Sequence, residues 1–340
     1  MMWYPLTFRP IFKPRIWGGR RLEELFGKPL PTGQAIGESW ELSGLAGDES
    51  IVAAGPLAGQ KLTDLAARFG GELIGPGVVG TGAAFPLLIK LLDAGQPLSV
   101  QVHPSKATIA QARAAVSASS AQPKNECWYI MAAEPGARIW VGLKEGVDRE
   151  QFAAAAAAGN VADLLRACPV RAGDFFYLPG GTVHALGGGI VVAEVQTPSD
   201  TTYRVFDWNR VDPATGQPRT MHLAEALDAI DYGASVQPAS AASGDRIRLL
   251  GCPTCEDFVI DKLRLSGGTV TANGVGGRGT MVIWQILRGT GRVECPLASP
   301  GPTVAFGPGS LLLFPAAMEA AAVRVDAETE CELLEISLPT

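Results

Sequence analysis

One stretch, Gly173 to Arg210 (GDFFYLPGGTVHALGGGIVVAEVQTPSDTTYRVFDWNR), constrains the chain more than any other. It begins as a short aromatic strand, Asp174 to Leu178, and breaks at Pro179-Gly180-Gly181. After Gly187-Gly188-Gly189 it runs on as a second strand, Ile190 to Gln196. Gly and Pro supply the backbone angles that such a hairpin needs and that β-branched residues resist. His184 sits just past the turn, held on rigid strands of the kind a metal site requires.

The rest of the chain agrees with a strand-rich fold. Its 340 residues suffice for two cores or one large one. Its 41 Gly and 25 Pro favour many short strands and turns over a helical bundle. A net charge of −6 without a basic cluster excludes nucleic acid as the expected partner. Six cysteines in a chain of this size do not make a disulfide scaffold, which points to a reducing compartment. Met1 to Trp17 carries Arg9, Lys13 and Arg15 and has no signal-peptide core. No apolar run approaches the ~18 residues of a membrane span. The expectation is a soluble, cytoplasmic protein.

In chain order, the opening reads as edge strands around a helical patch, Arg21 to Phe26, with Gly37 to Ser43 alternating as a strand. Leu62 to Ile74 has helical spacing, with Thr63 or Asp64 as its cap. Phe85 to Leu92 suits a buried strand. In Leu98 to His103, Ser99, Gln101 and His103 share one face and Pro104 ends the strand. Ser105 to Gln122 reads as a helix and loop, and Lys124 to Met131 as a strand carrying Lys124 and Glu126 on one face. Asp148 to Ala167 and Met221 to Ile230 read as helices, with His222 a packing or capping residue. Ala234 to Gly244 has linker composition. Beyond it, strands are expected at Phe258 to Leu265, Met281 to Leu287, Thr303 to Phe306, Leu311 to Phe314 and Leu333 to Leu338. Gly309 to Pro315 repeats the pattern of Gly173 to Pro179 with no histidine after it, and none lies beyond His222.

His103, Glu126, His184 and the amide oxygen of Gln101 would offer zinc an N2O2 set with room for water or substrate. Two other motifs weigh little. Gly274-x-Gly276-x-x-Gly279 is followed by a strand where a dinucleotide site needs a helix. Cys252-Pro-Thr-Cys255 has no second pair and no βαβ context, so its thiols read as structural.

The spacing Gly173-x5-Pro179-x-Gly181-x2-His184 resembles the second signature of the cupin β-barrels, with Gly188 where an Asn usually stands. Leu98 to Pro104, Lys124 to Tyr129, Leu178 to Ala185 and Ser199 to Arg204 together resemble type I mannose-6-phosphate isomerases. Pro10 to Gly19 and Gly37 to Glu41 resemble the opening of the short bacterial form of that family. The resemblance implies a mainly β fold of two cupin-type jelly-roll β-barrels with short helical insertions in the first. Residues 1–240 would form the catalytic metal-binding domain and 241–340 a metal-free cupin-like domain. It implies one Zn2+ per chain held by Gln101, His103, Glu126 and His184, with Arg204 as the catalytic arginine. Ser99 and Arg210 would hold the sugar phosphate, with Lys124 matching a residue of binding or catalysis; the base stays open among Glu194, which shares a strand face with Gln196, zinc-bound water and Lys124. The implied reaction interconverts mannose 6-phosphate and fructose 6-phosphate through an enediol, in a monomer or homodimer that touches neither nucleic acid nor membrane. The rivals are a non-catalytic sugar-phosphate-binding or regulatory double cupin and an iron oxygenase. The oxygenase would ordinarily present a facial triad or three histidines.

Overall fold

The glycine-punctuated alternation of the sequence produces twenty short strands and five α-helices among the described residues. The structure is a computed structural model describing residues 3–76, 85–115, 121–213, 215–239, 244–266, 268–271, 279–294, 303–318, 322–325 and 329–339. The first eleven strands are β1 (Ile11–Gly19), β2 (Ile36–Leu42), β3 (Leu88–Ala94), β4 (Val100–Val102), β5 (Glu126–Ala133), β6 (Arg138–Leu143), β7 (Leu165–Pro169), β8 (Phe175–Leu178), β9 (His184–Leu186), β10 (Ile190–Gln196) and β11 (Tyr203–Phe206). Nine more follow: β12 (Arg246–Leu250), β13 (Val259–Leu265), β14 (Gly268–Thr271), β15 (Val282–Arg288), β16 (Gly291–Glu294), β17 (Thr303–Phe306), β18 (Leu311–Phe314), β19 (Ala322–Val325) and β20 (Cys331–Ser337). The helices are α1 (Arg21–Phe26), α2 (Leu62–Leu73), α3 (Lys106–Ala115), α4 (Arg149–Ala158) and α5 (Leu223–Ala229).

The strands form four sheets, all of whose pairings are antiparallel. A six-stranded sheet has the order β1-β2-β3-β10-β5-β8, and a five-stranded sheet the order β11-β4-β9-β6-β7. The C-terminal strands make a second five-stranded sheet, β12-β13-β20-β15-β18, and a four-stranded one, β14-β19-β16-β17. None of the four closes on itself among the described residues.

Three apolar clusters hold these layers together. One lies between the first two sheets and includes Trp17, Leu92, Trp128, Val141, Phe176 and Leu186. A larger one covers the opposite face of the six-stranded sheet, where Ile89, Leu91, Val191 and Val195 meet Ile260, Trp284, Phe314 and Leu334. The third packs α4 and α5 onto the outer face of the five-stranded sheet through Phe152, Val100, Ala185 and Ala226. The six-stranded sheet is thus covered on both faces, so β3 and β10 are buried at every position. Such strands read as nearly continuous apolar runs, into which a few charged residues are set.

Several boundaries depart from the sequence expectation. Only β1 of the opening is an edge strand; β2 lies inside the sheet with all seven residues buried. The N-cap of α2 is Lys61, and neither Thr63 nor Asp64 caps it. The expected helix Asp148 to Ala167 is three elements. Helix α4 carries a capping box at Asp148 and Gln151, ends at Gly159 with φ +76°, and is followed by a 3-10 turn and β7. Glycine adopts that left-handed angle without penalty, which stops the alanine run. His222 precedes α5 without making a side-chain cap. The glycine motif at 274–279 lies almost wholly outside the described residues. No helix among the described residues is long and apolar enough to cross a membrane.

Candidate metal centre

The two strand-borne donors of the five-stranded sheet are neighbours, because Gln101 on β4 pairs directly with His184 on β9. His103 follows the end of β4, where Pro104 stops the ladder. Glu126 arrives from the other sheet, as the first residue of β5 between Gln196 of β10 and Leu178 of β8. The structure joins His103 and Glu126 across the space between two sheets.

His103, Glu126 and His184 are buried, and their donor atoms lie within 4.8 Å of one another. His103 Nε2 is 3.3 Å from Glu126 Oε2, and His184 Nε2 is 3.3 Å from Glu126 Oε1. Each imidazole uses its other nitrogen on the backbone: Nδ1 of His103 meets the Thr201 carbonyl at 2.8 Å, and Nδ1 of His184 meets that of Thr182 at 2.9 Å. A carbonyl only accepts, so both Nδ1 atoms carry hydrogen and both Nε2 atoms present lone pairs to the carboxylate. Burial first, and then the charge of Lys124, lowers the His103 pKa to about 3; burial also lowers that of His184. Burial opposes ionisation of Glu126, but the charge of Lys124 holds it well below the carboxylate range. Lone pairs thus converge from three side chains, and neither His103 Nε2 nor Glu126 Oε1 has a hydrogen-bond partner, while Glu126 Oε2 is ion-paired with Lys124. That donor set suits a divalent cation. Gln101 stands beside it, its amide nitrogen 3.3 Å from His184 Nε2; a half-turn of the amide would present the oxygen there.

Above this cluster is a cavity of about 450 Å³. Ser99, Gln101, Lys124, Glu194 and Arg204 all line it. Lys124 Nζ lies 2.8 Å from Glu126 Oε2, and Ser99 Oγ is 3.4 Å from Gln101 Oε1. Arg204 is opposite Gln101 in the pairing of β11 with β4, and one of its nitrogens donates to the Thr220 carbonyl at 2.9 Å. Arg210 is not among the residues that line this cavity. It is tied to Asp207 by an ion pair and lines a separate hollow of about 520 Å³ beside Gly159 and Val211.

Four residues passed over in the sequence also face the cavity: Arg15, Glu38, Lys90 and Arg219. Lys90 is buried, with Nζ 3.0 Å from Glu194 Oε2 and 4.0 Å from Glu38 Oε2. Trp128 Nε1 donates to Glu194 at 2.9 Å, and Trp40 Nε1 to Glu38 at 2.6 Å. Burial opposes the charge on Lys90, but Glu194 and Glu38 raise its pKa; burial likewise opposes Glu38, which Lys90 and Arg15 lower to about 2. Charges buried this deeply persist only when paired. Lys90 stands within the apolar run Leu87 to Leu92. A lysine there was the available signal. His222 also reaches the cavity, and its Nδ1 accepts from the Arg204 backbone at 3.3 Å.

A family model described as phosphomannose isomerase type I, catalytic domain, matches residues 6–135. A probable mannose-6-phosphate isomerase, GmuF of Bacillus subtilis, is 35% identical over 294 residues, covering 86% of this chain and 88% of its own. The mannose-6-phosphate isomerase of Streptococcus mutans is 36% identical over 297 residues, again 86% and 88%. The crystal structure of mannose 6-phosphate isomerase from Bacillus subtilis superposes with a TM-score of 0.83 at 28% identity, covering 99% of this chain and 100% of that one. A mutant phosphomannose isomerase from Salmonella typhimurium has the same fold, with a TM-score of 0.78 at 16% identity over 99% and 100%.

Proposed function

Because the chain belongs to the type I phosphomannose isomerase family, we propose that it interconverts mannose 6-phosphate and fructose 6-phosphate with one zinc ion. The observation that carries the proposal is the convergence of His103, Glu126 and His184 beneath a cavity lined by Lys124, Glu194 and Arg204. Gln101 completes the ligand set. Residues 1–240 form the metal-binding half and 241–340 a metal-free half, each a cupin-type jelly roll. In support, every donor falls between 101 and 184, and β12 to β20 make their own two sheets. The enzyme works in the cytoplasm as a monomer or homodimer; the five cysteines among the described residues are free of disulfides, which agrees with that compartment.

The reaction moves one proton between C2 and C1, and a proton beside a carbonyl is only weakly acidic. Zinc, when bound, supplies a Lewis acid for the substrate oxygens. Glu194 is the base that takes the C2 proton and returns it to C1. The Trp128 indole and Lys90 both hold its carboxylate in place at the cavity wall. Arg204 faces the negative charge that develops on the enediolate oxygen and, being always protonated, does not compete for the proton. Lys124, charged and 2.8 Å from Glu126, keeps that carboxylate ionised and offers its remaining hydrogens to the sugar. Ser99 lines the same wall as a hydroxyl donor to the substrate. Arg210 acts on the phosphate indirectly, by bracing Asp207, which in turn holds Arg219 at the cavity.

A coupled assay on mannose 6-phosphate, with elemental analysis of the same sample, tests the proposal. Near one zinc per chain and turnover of the phosphorylated sugar are expected. His103→Ala and His184→Ala should each lose the metal and the activity, whereas His222→Ala should keep the metal. No turnover by the zinc-loaded chain would overturn the proposal.

A further inference from the structure

Asp257 lies on the loop between β12 and β13, among the C-terminal strands that contain no histidine. Its carboxylate nevertheless reaches the segments that bear the metal donors. Oδ2 accepts from Asn125 Nδ2 at 2.6 Å, and Oδ1 accepts from Lys106 Nζ at 2.9 Å. Asn125 immediately precedes Glu126, and Lys106 opens α3 just past His103 and Pro104. Asn125 turns its amide oxygen the other way, to accept from the Gly180 backbone at 2.8 Å in the turn leading to His184. Backbone bonds close the same circle: Gly181 N donates to His103 O at 2.7 Å, and Lys124 N to Pro104 O at 3.0 Å. Thr197, just past β10, is bonded to Asn125 at both its nitrogen and its oxygen.

We propose that Asp257 is a positioning residue for the metal centre, acting through Asn125. Its loop is stiff enough to serve. Cys255 and Phe258 on either side are buried, and Cys255 N is bonded to Gly251 O. Asn125 has two amide ends, and its orientation sets both the start of β5 and the turn before β9. Asp257 accepts only, so it fixes which end of the amide faces outward and leaves the oxygen for Gly180. With the carboxylate gone, the amide is held at its Gly180 end alone, and the reference shared by Glu126 and His184 loosens. Outer partners of metal ligands fix ligand orientation, and their loss typically costs about 10–100-fold in affinity. Asp257 stands one bond further out, so the low end of that range, about 10-fold, is expected.

The inference rests on the metal centre proposed above, and the test separates the two. Zinc affinity of the full chain is measured by competition with a chelator, together with the visible spectrum of the cobalt(II)-substituted protein. Asp257→Ala should bind zinc about 10-fold more weakly and alter the cobalt bands. Its kcat at saturating zinc should fall while KM stays near wild type. Asp257→Asn keeps an oxygen for Asn125 and should restore affinity and spectrum. Lys106→Ala, which removes an exposed partner, should leave both unchanged. If Asp257→Ala does not fold, Asp257→Ser, too short to reach Asn125, carries the same expectation. A variant that melts earlier yet keeps wild-type affinity, spectrum and kcat would overturn the inference alone. A wild-type chain that takes up no metal would refute the centre and this inference with it.

Discussion

At the scale of single residues, Arg204 separates an enzyme from a sugar-phosphate binder. It lines the cavity opposite Gln101, and its Nε is buried without a hydrogen-bond partner. Burial first, and Arg219 next, hold its pKa below the ordinary arginine value, yet far too high for it to serve as a base at neutral pH. A guanidinium held this way has one useful task, to meet negative charge as it forms. Arg204→Ala should therefore retain zinc and most substrate affinity but lose about 10²–10³ in kcat, with kcat/KM falling in parallel. Arg204→Lys returns the charge without the planar fork and should recover part of the rate. Steady-state kinetics on zinc-loaded variants decides the matter; near wild-type turnover of Arg204→Ala would make it a bystander.

At the scale of elements, the site depends on how tightly the turn before β9 packs on the chain just past β4. A Cβ on Gly180 would lie 2.7 Å from Ser105 Cα and 2.8 Å from Pro104 O, both backbone atoms that cannot swing away. Gly180→Ala should push the two turns apart, destabilise the fold by about 1–3 kcal/mol and weaken metal binding. Urea denaturation and zinc titration measure the two effects, and a variant as stable as wild type would show that the turns have slack. The hairpin itself was legible in the sequence, since Pro179-Gly180-Gly181 announces a turn and the residues after it alternate toward His184. That Ser99 and Gln101 face the same cavity was legible from the alternation along their strand. The alanine run of α4 masked β7, because propensity continued past Gly159 while the backbone did not. Strands β14, β16 and β19, four residues each, carry too little alternation to stand out. Lys90 and Glu38 escaped notice because partnership across three strands is invisible along any one of them. Arg219 and Asp257 sit in loops, where spacing carries no signal about the cavity they approach.

At the scale of the whole molecule, one apolar cluster runs from Trp3 and Leu6 through the six-stranded sheet into β13, β15, β18 and β20. Leu6 pairs with Leu313, and Met281 N is bonded to Ile74 O, so the N-terminal segment and α2 are stitched to the C-terminal strands. The buried cluster of His103, Glu126 and His184 lies on the other face of that sheet, and its titration bears on the stability of the whole fold. An unfolded histidine takes its proton near pH 6.5, but His103 in the fold does so only near 3, and His184 is also lowered. Between those values the unfolded chain binds more protons than the folded one, so stability is full above about pH 6.5 and falls as pH drops. Glu38, at about 2 in the fold against 4.5 unfolded, and Glu126, lowered in the same direction, add to the loss below pH 4.5. With chelator present, the urea midpoint of the metal-free chain should decline steadily from about pH 6.5 downward, in one transition seen alike by tryptophan fluorescence and far-UV dichroism. His103→Gln, which cannot titrate, should flatten the upper part of that decline. A midpoint that holds steady from about pH 7 to about pH 4 would mean that the buried imidazoles take up protons in the fold as readily as in the unfolded chain.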